Sequence, residues 1–401
     1  MKKKLLMIDP RFPTASKSVN HQSILPHGLL KIGAYYESMG WEVKLQRLVE
    51  SSDPIEDFTP SKIIITSIFT YWAKYVKEAV EWARKHYDAP VEVGGVFASL
   101  QPKLCKEYTG CDSVYVGVME EAEEFLPKYD LLSFTVDYQI IHTSRGCMRR
   151  CKPCGVYLCE PKHSFIDSIK DKVEKRKIVF YDNNLLANPH IENILRELIL
   201  LKRKRTILHC EAQSGFDGRI LRKKPHLAKM LWEAGFRYPK IAWDGSVKSY
   251  KKRKEEIDIL VDAGYRRVDI SVFVLINFEQ PYSELELKRL WCWEWGVQVN
   301  QCRYRPLDAL HDNYNGNKKR QTSDDYFIHP NWEDCEIRQY NRNVRRHNIS
   351  LRYRTKFYSP SVEYKNVPAE LRWDAKSMKY TEGVQVLDDC IDLAEYQKVD
   401  I

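Results

Sequence analysis

Between residue 4 and residue 306, short β-branched apolar runs alternate with stretches of helical periodicity. No other feature narrows the fold as much. Strands joined by crossover helices must lie parallel, so the alternation reads as an α/β chain. The first series is strand "KLLMID" (4–9), helix "HGLLKIGAYYESMG" (27–40), strand "EVKLQRL" (42–48), strand "KIIITSIF" (62–69) and helix "AKYVKEAVEWARKHY" (73–87). Strands "VEVGGV" (91–96) and "SVYVGV" (113–118) complete it. In the first helix Leu29, Ile32, Gly33 and Tyr36 share a face, and Gly40 sits where a C-terminal cap belongs. Residues 1–130 therefore read as an open doubly wound parallel sheet, with ligands expected beyond the carboxyl ends of its strands.

A second series runs through "YQIIHTS" (138–144), "KIVFYD" (177–182), "TILHCEA" (206–212), "KIAWDG" (240–245), "RVDISVFVLI" (267–276) and "GVQVNQCRYRP" (296–306). Helical patterns fill every gap but the first. At 190–201 Asn188 is placed as cap and Pro189 in the first turn, while Ile191, Ile194, Leu195 and Leu198 make the stripe. A further helix over 247–263 ends at Gly264. Six strands with five crossovers make a partial (β/α)6 barrel over 136–310. The remainder, 311–401, opens with the polar and aromatic "HDNYNGNKKRQTSDDY", and no fold is read for this C-terminal extension.

The second series holds one unusual stretch, "SRGCMRRCKPCGVY" (144–157), with Cys147, Cys151 and Cys154 just after its first strand. Clustered thiolates suit soft metals. Three is one short of the four that structural zinc or an ordinary cubane cluster takes. Either a fourth ligand such as Cys159 completes a zinc or electron-transfer site, or one metal position stays open for chemistry. Zinc sites usually come as two Cys-x2-Cys pairs, and there is one here. The other cysteines (105, 111, 210, 292, 302, 335 and 390) are isolated and read as small buried apolar residues. No run approaches the ~20 apolar residues that span a bilayer, and "MKKKLLMIDP" is too short to be a signal core, so a cytoplasmic location without disulfides is expected.

Cys-x3-Cys-x2-Cys after the first strand of a (βα)6 series resembles the radical S-adenosylmethionine family. The resemblance implies a 4Fe–4S cluster on Cys147, Cys151 and Cys154. Its open iron would bind S-adenosylmethionine, which is cleaved to a 5′-deoxyadenosyl radical with an electron from a donor such as a flavodoxin or ferredoxin. Polar residues at the strand ends become candidates for holding S-adenosylmethionine: Asp182 and Asn183 in "FYDNNLLAN", Glu211 and Gln213 in "HCEAQSG", Asp244 in "AWDG", and Arg303 on the sixth strand. Carboxylates there can accept from a ribose hydroxyl or an amino group, or simply cap a helix. "VFVLINFEQPYSE" resembles the family's fifth strand, with Asn277 where a glycine is usual. Register alone decides whether Arg303 or Arg305 points into the barrel.

The doubly wound domain ahead of the barrel resembles the cobalamin-binding subgroup through "PHGLLKIGAYYESMGWEV", "VEVGGVFASLQP" and "VGVMEEAEEF". That implies cobalamin beside Ser67, Gly94 and Gly95, with Tyr71 and Trp72 covering its lower face, and methyl transfer to an unactivated carbon. The Asp-x-His-x-x-Gly motif is absent, leaving open a domain that only packs on the barrel and a radical rearrangement or oxidation instead. A different class is a metal-stabilised nucleic-acid-binding module. The net charge of +9 is scattered through "KRKR" (202–205), "KKRK" (251–254), "KKR" (318–320) and "RNVRR" (342–346), and "RYRTKFYSPSVEYK" (352–365) interleaves aromatic and basic residues. The substrate is not legible.

Overall fold

The computed structural model describes residues 2–13, 25–353, 378–381 and 384–387. Residues 354–365 of the aromatic–basic stretch and Cys390 lie outside the described residues. The chain divides into two units. The first is Met1–Asp137 with Gly146–His163 and Arg305–Asn313; the second is Tyr138–Arg145, Ser164–Tyr304 and Tyr314–Ile401.

In the first unit, strands β1 (Lys4–Asp9), β2 (Glu42–Arg47), β3 (Lys62–Ser67), β4 (Val91–Gly95) and β5 (Ser113–Val114) form one parallel sheet in the order 2-1-3-4-5. Its helices are α1 (His27–Ser38), α2 (Ala73–His86), α3 (Val96–Leu100), α4 (Pro102–Thr109), α5 (Glu120–Glu123) and α6 (Val156–Cys159). Alternation explains why the strand runs are apolar throughout. Leu6, Ile8, Ile63 and Ile65 pack with Val76, Ala79 and Val80 of α2, while Leu5, Met7 and Ile64 pack with Leu29 and Tyr36 of α1. Both faces are covered, so both parities must be apolar. Each such Leu or Ile contributes roughly 1.5–3 kcal/mol over an exposed one. The fifth strand is only two residues long because the chain turns away, with Gly117 at φ +88°.

The second unit holds six parallel strands, β6 (Tyr138–Ile141), β9 (Lys177–Phe180), β10 (His209–Ala212), β11 (Lys240–Ala242), β12 (Ser271–Ile276) and β13 (Gln298–Arg303). They lie in two sheets, β10-β9-β6 and β11-β12-β13, with a bridge from Phe216 to Ile241 joining the end of the first to the second. A two-residue antiparallel pair, β7 (Ser144–Arg145) and β8 (Ser164–Phe165), interrupts the series after β6. Helices α7 (Ile191–Arg203), α8 (Gly218–Lys223), α9 (His226–Glu233), α10 (Tyr250–Asp262) and α11 (Tyr282–Glu294) fill the crossovers, and α12 (Asp334–Tyr353) follows. A short pair, β14 (Met378–Thr381) and β15 (Val384–Leu387), closes the described chain.

Two details differ from expectation. Asn188 does not cap α7 directly; it is buried, accepts from the His190 N–H at 2.8 Å and donates to the carbonyls of Thr143 and Ile166. The polar stretch after residue 310 contains the 20-residue helix α12.

Asn277 explains its own departure from glycine. It lies just past β12 at φ +58°, a backbone region asparagine tolerates better than other side chains. Fully buried, it accepts from the His329 N–H at 2.8 Å and donates to the Phe327 carbonyl at 2.7 Å. Asn277→Gly keeps the backbone but strands those groups, an expected loss of about 2–3 kcal/mol. Asn277→Ala should cost about 1 kcal/mol more because of the left-handed φ. Urea denaturation of both variants measures the difference.

Candidate active site

Cys147, Cys151 and Cys154 lie on the segment Gly146–His163, which belongs to the first unit although it is inserted between β7 and β8 of the second. Gly146, at φ +74°, starts the loop, and its N–H donates to Glu160 Oε2 at 2.7 Å, fastening the two ends. The Arg149 N–H points at Cys147 Sγ at 3.4 Å, and the Cys154 N–H closes a turn onto the Cys151 carbonyl. All three are half-buried. Cys159 differs: its sulfur donates to the Val96 carbonyl at 3.9 Å, and burial, with Glu160 and Cys154 nearby, pushes its thiol up to about 12. Among the described residues no three His, Cys, Asp or Glu side chains converge closely enough to hold a metal ion. The donor set itself, three thiols on one short loop with an amide aimed at one sulfur, suits a soft metal.

Still in the first unit, Ser67 at the end of β3 donates to the Gly94 carbonyl at 2.7 Å and accepts from the Ala98 N–H at 3.2 Å, tying β3, β4 and α3 together. Gly95 has φ +98°, and a Cβ there would sit 2.1 Å from the Ser67 carbonyl oxygen. Its missing side chain is thus required by Ser67, where close approach of a bulky ligand was expected. A Cβ at Gly94 would meet only Tyr115 Cβ, at 3.7 Å, among the described residues. Tyr71 stacks on Phe69 at 4.9 Å and carries the Arg305 guanidinium 4.6 Å from its ring, whereas Trp72, half-buried, stacks on Phe12 against the sheet's core. Phe69, Val96 and Val116, just past β3, β4 and β5, remain exposed.

In the second unit the strand-end candidates fall into three groups. Asp182 is buried beyond β9. Its Oδ1 accepts from the Thr143 N–H and hydroxyl and the Ser144 hydroxyl at 2.6–3.0 Å, and its buried Oδ2 has no partner among the described residues. Burial raises this carboxyl above the usual range, against those hydrogen bonds. It fixes the residues that lead into the cysteine loop. Glu211 shares a strand face with His209, 3.8 Å away, while Cys210 and Ala212 turn the other way into the core. Lys240 of β11 lies within electrostatic reach of Glu211 and of Cys302; burial lowers its ammonium and those two oppose the shift. Asn183 is half-buried and Gln213 exposed, the latter donating its N–H to the Phe180 carbonyl of β9. A carboxylate and an ammonium on one face can together take the amino and carboxylate ends of a zwitterion.

Asp244 is exposed past β11. Desolvation raises its carboxyl, and Lys288, Arg253 and Arg219 pull it back. Lys288 is fully buried on α11, donating to the Trp243 carbonyl at 3.1 Å and to Gln280 Oε1 at 2.5 Å. Desolvation brings its ammonium down to about 8, with Glu284 and Asp244 resisting. Between pH 8 and 10.5 the folded chain therefore binds fewer protons at Lys288 than the unfolded chain, and stability from this group rises with pH across that window. The expected gain between pH 8 and pH 10 is roughly 2 kcal/mol relative to Lys288→Met, which cannot titrate. Paired denaturation curves at pH 8 and pH 10 test it.

Arg303 corrects the expectation. Register pairs it with Ile276, whose side chain is in the core, and its guanidinium stacks over Tyr314 and Tyr326 at 4.6 and 4.9 Å. It therefore lies on the helix-covered face, away from Glu211. Sequence reading missed Lys240 and Lys288. Alternation with the buried Ile241 places Lys240 on the face away from the core. Nothing local marks Lys288.

Neither a protein-family model nor a curated protein matches the chain. A solved structure does. The fold is similar to that of a radical S-adenosylmethionine methyltransferase. That protein is TsrM from Kitasatospora setae, solved with its tryptophan substrate and an S-adenosylmethionine analogue; the match has a TM-score of 0.53 at 15% identity and covers 77% of this chain and 75% of that one. At that identity the likeness is one of fold. No helix among the described residues is long and apolar enough to cross a membrane.

Proposed function

We propose that this protein is a radical S-adenosylmethionine enzyme that transfers a methyl group. The observation that carries the reading is the Cys147-x3-Cys151-x2-Cys154 loop after the first of six parallel strands, on a fold shared with a radical methyltransferase. A 4Fe–4S cluster, when bound, supplies the electron that cleaves S-adenosylmethionine, delivered by a one-electron donor such as a flavodoxin or ferredoxin. The chain's own work is to hold it. Cys147, Cys151 and Cys154 would hold the cluster through their sulfurs, and the Arg149 amide aimed at Cys147 favours the thiolate there. Glu211 would accept from an N–H of the amino group of S-adenosylmethionine and Lys240 would meet its carboxylate. Asp182 keeps Thr143 and Ser144 in place at the root of the loop.

Cobalamin as the methyl carrier is supported by the 2-1-3-4-5 sheet and by the exposed apolar side chains of Phe69, Val96 and Val116 past its strand ends. The test is anaerobic reconstitution with iron and sulfide, then metal analysis, a visible spectrum and assay for 5′-deoxyadenosine. Zinc in place of iron would refute the reading. Added hydroxocobalamin that survives desalting at one cobalt per chain supports methyl transfer. A cobalt-free protein that still releases 5′-deoxyadenosine leaves rearrangement or oxidation as the chemistry.

A further inference from the structure

The amino-terminal edge of the second unit's strands carries large exposed side chains that no part of the proposed chemistry uses. Trp232 near the end of α9 is 45% exposed, Tyr238 just before β11 is 47% exposed, and Leu208 just before β10 is 37% exposed. Basic residues surround them. "KRKR", residues 202–205, ends α7, and Arg203, Lys204 and Arg205 are all exposed. These groups form one surface: the Lys202 side chain lies against Gly235 beside Trp232, Arg203 reaches Glu233 at 3.9 Å, and Gly235 and Arg237, just before Tyr238, pair with Cys210, two residues past Leu208.

Lysine and arginine in the last turn of α7 complement the helix dipole, which accounts for Lys202 and Arg203. It does not account for two exposed aromatic rings. The indole of Trp232 lies against Gly264, where a Cβ would come within 2.9 Å of the ring. The Lys229 ammonium sits over the indole, 4.4 Å from a ring centroid. A ring backed by glycine and capped by a movable cation can stack on a flat partner, whereas a ring that anchors a protein in lipid protrudes.

We propose that this edge binds single-stranded nucleic acid, with bases stacking on Trp232 and Tyr238 and phosphates meeting Arg203, Lys204, Arg205 and Arg237. Exposed aromatics interleaved with arginine and lysine are what a sequence-tolerant single-strand site requires. The opposite end of the same strands carries Glu211 and Asp244, so this binding does not draw on the residues proposed to hold S-adenosylmethionine.

The test is fluorescence anisotropy of the full-length protein with a labelled 12-nucleotide single-stranded RNA of mixed sequence, repeated over a salt series. Trp232→Ala should weaken binding roughly 5- to 150-fold, the stacking contribution of one base, while Trp232→Phe keeps a ring and most of the affinity. Arg203→Ala with Lys204→Ala should reduce the slope of log affinity against log salt by about 1.4, at ~0.7 per phosphate contact on a single strand. Lys251→Ala with Lys252→Ala removes the same charge elsewhere and should leave the slope unchanged, and Cys147→Ala should bind RNA as the parent does. The proposal is overturned if the control pair weakens binding equally, if duplex RNA binds as tightly, if Trp232→Ala has no effect, or if only phosphatidylserine vesicles retain the protein.

Discussion

Replacing any one of Cys147, Cys151 and Cys154 with alanine is expected to abolish release of 5′-deoxyadenosine and to strip the reconstituted protein of its iron. A cubane held by three thiolates has no protein ligand to spare, and two cannot fix its orientation. Anaerobically reconstituted parent protein should contain about four irons per chain, and each variant should fall to background by metal analysis and lose the broad visible absorption. Cys159→Ala is the counterpart. Its sulfur is engaged with the Val96 carbonyl and burial keeps it a thiol, so iron content and product release should match the parent. Loss of iron in Cys159→Ala would make it a fourth ligand, leave no iron open for S-adenosylmethionine, and return the loop to an electron-transfer or structural role.

The second large effect is on folding. Gly95→Ala should remove the first unit from the folded population. A methyl group would sit 2.1 Å from the Ser67 carbonyl oxygen, and φ +98° with ψ −164° is a conformation nearly confined to glycine. Neither neighbour can yield: Ser67 is paired in β3 and its hydroxyl bridges Gly94 and Ala98. The expected cost exceeds about 4 kcal/mol. Gly94→Ala, one residue earlier, puts its methyl 3.7 Å from Tyr115 Cβ and should stay within about 1 kcal/mol of the parent. Limited proteolysis and thermal melts compare the pair. Equal stability of the two variants would mean that the β4–α3 turn has been misjudged.

These contrasts show what was legible from residues alone. The strands of both units were, because burial on two faces leaves unbroken runs such as "KIIITS" that nothing else explains. Helix α12 was not. Its packed face pairs Ile337, Tyr340 and Val344 with buried Gln339, Asn343 and His347, so an apolar stripe is half replaced by amides and an imidazole that bond to one another and to the Val297 carbonyl. Arg303 could not be oriented either, since the β12–β13 register decides it and register is a property of two segments together. The cysteine spacing was legible from local sequence, whereas the loop's packing was not. Gly155 lies against Leu100 and Leu307, partners far away in the chain.

That last arrangement sets a timetable for biosynthesis. A ribosome that has made residue 137 has delivered the sheet of the first unit but neither the cysteine loop nor residues 305–313, from which Leu310 joins the core around α2. At 5–20 residues per second the missing piece emerges roughly 9–35 s later. During that interval the nascent sheet lacks Leu310 from its core while the whole β6–β13 series is still being threaded, and a chain cut between the two units would leave both incomplete. Shortening the protein to either unit should therefore yield aggregates. Supplying the two halves in trans, split inside an exposed stretch such as 316–320, keeps every segment of the first unit on one polypeptide.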